Sequence, residues 1–159
     1  MSPSQKAIVL AIATALAIPA EGLRQKWYAD PIGLATVCYG HTGADIDKRK
    51  TYSLTECKGL LDKDMLNAIS ITDKCVPGLP DKVLAAFSGA VFNVGPVIAC
   101  DKSRSTAARL LAAGQLREAC LQLPRWRFAK VAGVSVALPG LTKRRNAEMR
   151  LCLQGLNGG

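Results

Sequence analysis

The chain has 159 residues, a formal net charge of +9, and 49% apolar but only 5% aromatic side chains. That length suits one compact unit or two small lobes around an Ala/Leu/Val-rich core, and no repeat or low-complexity tract interrupts it. The basic residues are scattered, without zinc-finger spacing or an RNA-binding aromatic motif, so the charge points away from nucleic acid and toward an acidic polymer such as a bacterial envelope.

Met1 to Lys6 is short, polar and basic, and Ala7 to Ala20 is uncharged and alanine-rich. Three readings of this segment stay open: a cleaved signal peptide, a core helix, and a weak membrane span. The fourteen residues from Ala7 to Ala20 make about 21 Å of helix, against a hydrocarbon core of ~30 Å. Counting from Met1 the length just suffices, and alanine adds little insertion energy.

The next stretch runs Glu21-Gly22-Leu23-Arg24-Gln25-Lys26-Trp27-Tyr28-Ala29-Asp30-Pro31-Ile32-Gly33-Leu34-Ala35-Thr36-Val37-Cys38-Tyr39-Gly40-His41-Thr42-Gly43. Glu21 and Asp30 bracket a run of Arg, Lys and aromatic residues, and Pro31 and Gly33 break any helix. Thr36 to Tyr39 reads as a strand and Gly40 to Gly43 as a turn. Glu21 is expected at the end of the apolar helix, Asp30 on a loop and Thr36 on a strand, so that three elements converge on one cleft. One carboxyl against an apolar wall and one in a polar loop is how pKa values are pushed apart for acid–base work. Taken singly, Glu21 is a helix-end charge, Asp30 an Asp-Pro turn former and Thr36 a β-former. His41 reads as a hydrogen-bonded structural residue, since no partner for a metal or base role stands near it in sequence.

Lys48 to Tyr52 is a polar link. Ser53 with Glu56 three residues on forms a capping box, and Leu54, Cys57, Leu60, Leu61, Met65 and Ile69 repeat at helical spacing to about Lys74. Lys58, Asp62, Lys63 and Asp64 are assigned to the wet face of that helix. Cys75 to Pro80 is a break. Asp81 caps a helix, apolar all round and so buried, that Asn93 to Pro96 stops. Helices are expected from Ser103 to Ala113 and Leu116 to Leu123. Arg125-Trp126-Arg127-Phe128 either stacks on sugar or nucleic acid or packs in part against the core. Val131 to Pro139 reads as a link, Leu141 to Leu153 as the last helix with Arg144, Arg145 and Arg150 outward or toward the cleft, and Gly155 to Gly159 as a frayed tail.

The six cysteines stand singly at 38, 57, 75, 100, 120 and 152. With no C-x-x-C pair and one histidine, no metal site and no cofactor is expected. An even number of scattered cysteines points to disulfides in an oxidising compartment, with buried free thiols as the alternative, and fifteen connectivities remain open for six cysteines.

The pattern Glu21, Asp30, Thr36 and Gly40-His41-Thr42-Gly43, with the later phrases Phe92-Asn93-Val94-Gly95 and Gly140-Leu141-Thr142-Lys143-Arg144-Arg145, resembles the phage-type lysozymes, glycoside hydrolase family 24. The likeness runs from Glu21 to Leu153. It implies an α+β, mostly helical, two-lobed fold: a small β-hairpin lobe and a helical C-terminal lobe joined by a long helix. Residues 1–20 then form an N-terminal segment and 21–159 a catalytic domain, divided into 21–52, 53–75 and 76–153. The implied activity is that of an endolysin hydrolysing the β-1,4 bond between N-acetylmuramic acid and N-acetylglucosamine in peptidoglycan. Catalytic roles fall to Glu21 as general acid and to Asp30 and Thr36 as the residues that hold water. The resemblance also suggests the pairs Cys38–Cys57, Cys75–Cys100 and Cys120–Cys152.

Some phage lysozymes carry a signal-arrest-release segment, an uncleaved weak anchor that later leaves the membrane, and residues 1–20 resemble one. Cleavage after Ala20 would instead strip Glu21 of the helix that positions it. The expected life cycle is transient inner-membrane association on the periplasmic side, then a periplasmic monomer whose partner is peptidoglycan and not nucleic acid. The alternatives are a lytic transglycosylase, in which Asp30 is dispensable, and a non-enzymatic basic module binding wall or nucleic acid.

Overall fold

The computed structural model describes residues 1–157. Its centre is a helix in which every side chain from Val83 to Val91 is buried, as an all-round apolar sequence requires. In chain order the elements are helix α1 (Pro3–Glu21), strands β1 (Arg24–Ala29), β2 (Ala35–Cys38) and β3 (His41–Thr42), and helices α2 (Leu54–Cys75), α3 (Asp81–Val94, the central helix), α4 (Val97–Cys100), α5 (Thr106–Ala112) and α6 (Leu116–Gln122). A 3₁₀ turn (Leu123–Arg125), strands β4 (Phe128–Val131) and β5 (Val134–Ala137), and helix α7 (Pro139–Asn157) complete the chain.

The fold is the expected α+β, mostly helical one, with two separate apolar cores. The larger unites α1, α2, α3 and α7 through residues such as Val9, Ala13, Met65, Ile69, Phe87 and Cys152. The smaller, Val37, Cys38, Tyr52 and Cys57, lies beneath the antiparallel sheet β1-β2-β3. Gln25 clamps that sheet to the chain entering α2: its carbonyl accepts from the Tyr52 N–H at 2.8 Å, and its side-chain amide donates to the Tyr52 carbonyl at 3.0 Å. The capping box starts α2 as expected, with Ser53 Oγ accepting from the Glu56 N–H and Glu56 Oε1 from the Ser53 N–H, both at 3.0 Å.

Helix α1 begins at Pro3 with Ser2 as N-cap. It packs Val9, Ala13 and Ala17 against the body and turns Ile8, Ala11 and Ala15 outward. By length and composition it is also apolar enough to cross a membrane. Three disulfides join Cys38–Cys57, Cys75–Cys100 and Cys120–Cys152. They tie the sheet to α2, the end of α2 to α4, and α6 to α7. Loops of these lengths each contribute about 3–4 kcal/mol in the chain-entropy account.

Several local expectations are corrected. The run between Glu21 and Asp30 is an edge strand, β1, so the small lobe is a three-stranded sheet. Asp81 is the first residue of α3 rather than its cap, and takes the Gln5 side-chain amide at 2.9 Å, fastening α1 to α3. The helix expected from Ser103 starts only at Thr106, because Asp101 first ties up the Ser103 and Arg104 amides. The stretch Val131 to Pro139, expected as a link, instead supplies the end of β4, the turn and all of β5 in the hairpin β4–β5. Helix α7 continues to Asn157 through what was read as tail, whose Gly158 and Gly159 lie outside the described residues. Arg145 faces neither solvent nor cleft: it is fully buried and paired with Glu148 at 2.5 and 2.9 Å.

Candidate active site

Glu21 is the last residue of α1. The Gly22 N–H closes the helix on the Ile18 carbonyl at 3.2 Å, and Gly22 at φ +68° turns the chain toward β1. The Glu21 carboxyl therefore stands on a rigid stem at the mouth of the fold. Arg144, on the second turn of α7, places Nη2 2.5 Å from Glu21 Oε1, and the side chains are only 13% (Glu21) and 11% (Arg144) exposed. On its other side stands Gly40, where a Cβ would lie 2.5 Å from Glu21 Oε2 and where φ is +79°. Glycine is thus required twice, for backbone conformation and for room. The same turn carries Cys38 at φ +62°, an uncommon conformation for a non-glycine residue.

Asp30 and Thr36 are held by one residue between them, Leu34. Asp30 Oδ1 accepts from the Leu34 N–H at 2.8 Å and the Ile32 N–H at 3.0 Å, while the Leu34 carbonyl accepts from the Asp30 N–H at 2.9 Å and from Thr36 Oγ1 at 3.0 Å. The Asp-Pro-Ile-Gly-Leu loop thus closes on itself, as an Asp side chain bonding to nearby backbone favours. Thr36 is buried, and its hydroxyl hydrogen is committed to the Leu34 carbonyl, which leaves its oxygen as an acceptor.

Tyr28 lies on the neighbouring strand β1. It pairs across the sheet with Thr36. Its phenol pKa is raised, first by burial and then by the negative charges of Glu21 and Asp30, against the pull of Arg24 and Arg144. The Arg24 guanidinium stacks 4.4 Å from the Tyr28 ring centre. Sequence reasoning passed over Tyr28 as part of a basic–aromatic run, and treated Arg144 as one of several outward or cleft-facing arginines.

His41, buried on β3, bonds through Nδ1 to Asp64 Oδ2 at 2.7 Å and through Nε2 to Asp45 at 3.0 Å. Burial alone would lower its pKa, but hydrogen bonds to Asp64 and then Asp45 outweigh that, and the imidazolium is favoured. Asp64 is consequently no wet-face residue: it reaches from α2 to hold β3, and with it the Gly40 turn.

Two recesses adjoin Gly40 and Arg144 respectively. One of about 260 Å³ lies between the sheet and the helical body, lined by Gly40, Thr42, Asp64, Asn67, Phe92 and Pro96. The other, about 240 Å³ and mostly apolar, lies behind Arg144 among Ala13, Ala17, Phe92, Gly140, Ala147 and Glu148. Among the described residues no three His, Cys, Asp or Glu side chains gather as a metal-binding group.

The chain is similar to known proteins. The family model for phage lysozyme matches residues 19–148. A SAR-endolysin of bacteriophage PS119 is 40% identical over 136 residues, covering 85% of this chain and 77% of that protein. A SAR-endolysin of Pseudomonas phage phiKMV is 30% identical over 155 residues, covering 97% of this chain and 94% of that protein. The crystal structure of the active form of the P1 phage endolysin Lyz superposes with a TM-score of 0.79 at 25% identity, over 93% of this chain and 86% of that one.

Proposed function

The chain belongs to the phage lysozyme family, and from that premise we propose that it is an endolysin in which Glu21 is the general acid for cleavage of the β-1,4 bond between N-acetylmuramic acid and N-acetylglucosamine. The protein is a glycoside hydrolase that lyses peptidoglycan. The observation that carries the residue assignment is the Glu21 carboxyl, held at the end of α1 between the Arg144 guanidinium and Gly40.

As general acid, Glu21 gives a proton to the leaving glycosidic oxygen. As it does so, negative charge grows on the carboxylate, and Arg144 stands where that charge appears, which stabilises the transition state more than the ground state. Asp30 and Thr36 hold water on the opposite face of the sugar. Both are fixed through Leu34; Asp30 takes the proton of the water as its oxygen attacks the anomeric carbon, and Thr36 accepts a hydrogen bond from that water. An inverting arrangement places the two carboxyls about 6.5–9.5 Å apart. Residues 21–52 act as the active-site lobe, 53–75 as the connecting helix and 76–153 as the helical lobe.

Residues 1–20 are the control element. Inserted in the inner membrane with Lys6 on the cytoplasmic side, α1 pins Glu21 at the lipid surface. On release the same helix docks its Val9-Ala13-Ala17 face on the body and brings Glu21 to Arg144, and the enzyme works as a periplasmic monomer. This reading is supported by α1 being at once apolar enough to span and packed into the larger core.

Digestion of purified sacculi tests the reading. Wild-type protein yields new reducing ends, whereas anhydro-sugar products would indicate a lytic transglycosylase instead. Asp30→Asn is strongly impaired and Thr36→Ala intermediate; an Asp30→Asn variant with normal rates would remove the water-holding role.

A further inference from the structure

The hairpin β4–β5 is exposed along all of β5 and at alternate residues of β4. Strands of a lone two-stranded ribbon gain little stability from each other, and here all of β5 is exposed, with Val134 at 61% and Phe128 on β4 at 48%. The ribbon is nonetheless well defined. Ala132 and Gly133, at φ +52° and +81°, make a tight two-residue turn of the kind that fits strand twist, and the Leu138 N–H bonds to the Arg127 carbonyl at 3.1 Å to close the base. Only Trp126, at the root, packs on the larger core.

The position of the ribbon and its charge say what it meets. The strand β5 runs directly into α7, so the ribbon is rooted within two helical turns of Arg144. Between Glu118 and Glu148 the chain carries six Arg and Lys residues and no acid. Arg144 and Arg145 are taken by Glu21 and Glu148, which leaves Arg125, Arg127, Lys130 and Lys143. Register puts Phe128 and Lys130 on one face of the ribbon, and the Arg127 guanidinium lies 5.3 Å from the Phe128 ring centre. An exposed aromatic ring with two cations beside it suits a sugar strand whose peptides carry free carboxylates.

Resting on the peptidoglycan reading above, we infer that the β4–β5 ribbon is a substrate arm: Arg127 and Lys130 bind stem-peptide carboxylates of peptidoglycan while Phe128 seats against the adjoining sugar. The arm binds without taking part in bond cleavage.

The test is cosedimentation of the full chain with purified Gram-negative sacculi, in a Glu21→Gln background so that binding is read without digestion. Adding Arg127→Ala and Lys130→Ala weakens binding about tenfold or more, as loss of charge-assisted bonds implies. Phe128→Ala gives a smaller loss. The control pair Lys74→Ala and Arg117→Ala removes the same charge from exposed helix positions and has little effect. On sacculi whose carboxylates are amidated, the parent binds more weakly and the arm variants lose nothing further. Circular dichroism verifies that each variant folds, and the parent's response to amidation stands even where a variant does not. Equal weakening by the control pair, or an arm effect that persists on amidated sacculi, would overturn the inference. So would transfer of the arm effect to phosphatidylglycerol vesicles with sacculus binding unchanged, which would make the partner a lipid surface. The binding result is independent of hydrolysis: wild-type protein that releases no reducing ends would sink the catalytic reading and leave the arm, and the converse holds equally.

Discussion

Arg144 Nη2 lies 2.5 Å from Glu21 Oε1, so the last helix of the chain grips the carboxyl at the end of the first. The pair is nearly closed to water, and removing one partner of such a pair strands the other. Arg144→Ala is therefore expected to lower stability by about 1–3 kcal/mol, read as a fall in urea midpoint, and to lower kcat as well. Arg144→Lys keeps the charge without the planar fork and should recover only part of both losses. Unchanged stability and turnover in Arg144→Ala would show that the contact is incidental.

Gly40 gives a second, sharper prediction. A Cβ there would meet Glu21 Oε2 at 2.5 Å, and φ of +79° already disfavours alanine. Gly40→Ala should cost about 1–2 kcal/mol of backbone strain. It should also push the carboxyl aside, and a displacement near 1 Å at a reacting group is worth roughly 100-fold in rate. The expected result is a folded protein by circular dichroism with sacculus hydrolysis reduced on that scale.

The His41 contacts predict how stability varies with pH. The folded-state pKa of His41 is raised above its ordinary value, the Asp64 and Asp45 hydrogen bonds overcoming burial. Its contribution is therefore fully present below about pH 6.5, the unfolded value, and is lost as pH rises through the folded value. Asp45 behaves in the opposite sense: its pKa is lowered, chiefly by the His41 hydrogen bond, so its smaller share is lost on strong acidification. Urea midpoints should fall from pH 6 toward pH 9 in wild type, and His41→Gln should flatten that slope. A slope that survives in the variant would assign the pH dependence elsewhere.

The N-terminal helix can be tuned without disturbing the docked state. Ala11 and Ala15 face outward, whereas Ala13 is buried. Ala11→Leu with Ala15→Leu adds insertion energy, roughly 0.5 kcal/mol per leucine or more, while leaving the packed face alone. Lysis from a membrane-inserted start should be delayed or abolished, and a purified soluble variant should retain activity. No cysteine lies in residues 1–20, so thiol exchange within this segment is no part of the control. Unchanged lysis timing, or a mature N-terminus at Glu21, would contradict it.

How much of this was legible in the sequence follows from the range of each signal. The Ser53–Glu56 capping box, the apolar stripe of α2 and the all-apolar α3 are local patterns, and they appear where read. Glu21 at a helix end, Asp30 in a turn and Thr36 on a strand were equally local. What closes the site was not: Arg144 meets Glu21 from the far end of the chain, and nothing in its own segment distinguishes it from Arg145. Charge itself misled at two positions. Asp64 lies beside the buried Leu61 and Ala68 stripe, and Arg145, Glu148 and Cys152 share one buried face, yet charged residues on a helix are ordinarily read as wet. The β4–β5 ribbon carried its own signal, the alternating Val134-Ser135-Val136 after Gly133. Short glycine-flanked valines read equally well as a link.

The central claim is that Glu21 supplies the proton that cleaves the glycan. Glu21→Gln keeps the shape of the side chain and removes that proton. With folding verified by circular dichroism, the rate at which purified sacculi release reducing ends should fall by at least about 10²–10⁴-fold, and chloroform-treated Gram-negative cells should remain unlysed. A Glu21→Gln protein that releases reducing ends at a near-normal rate would contradict the account.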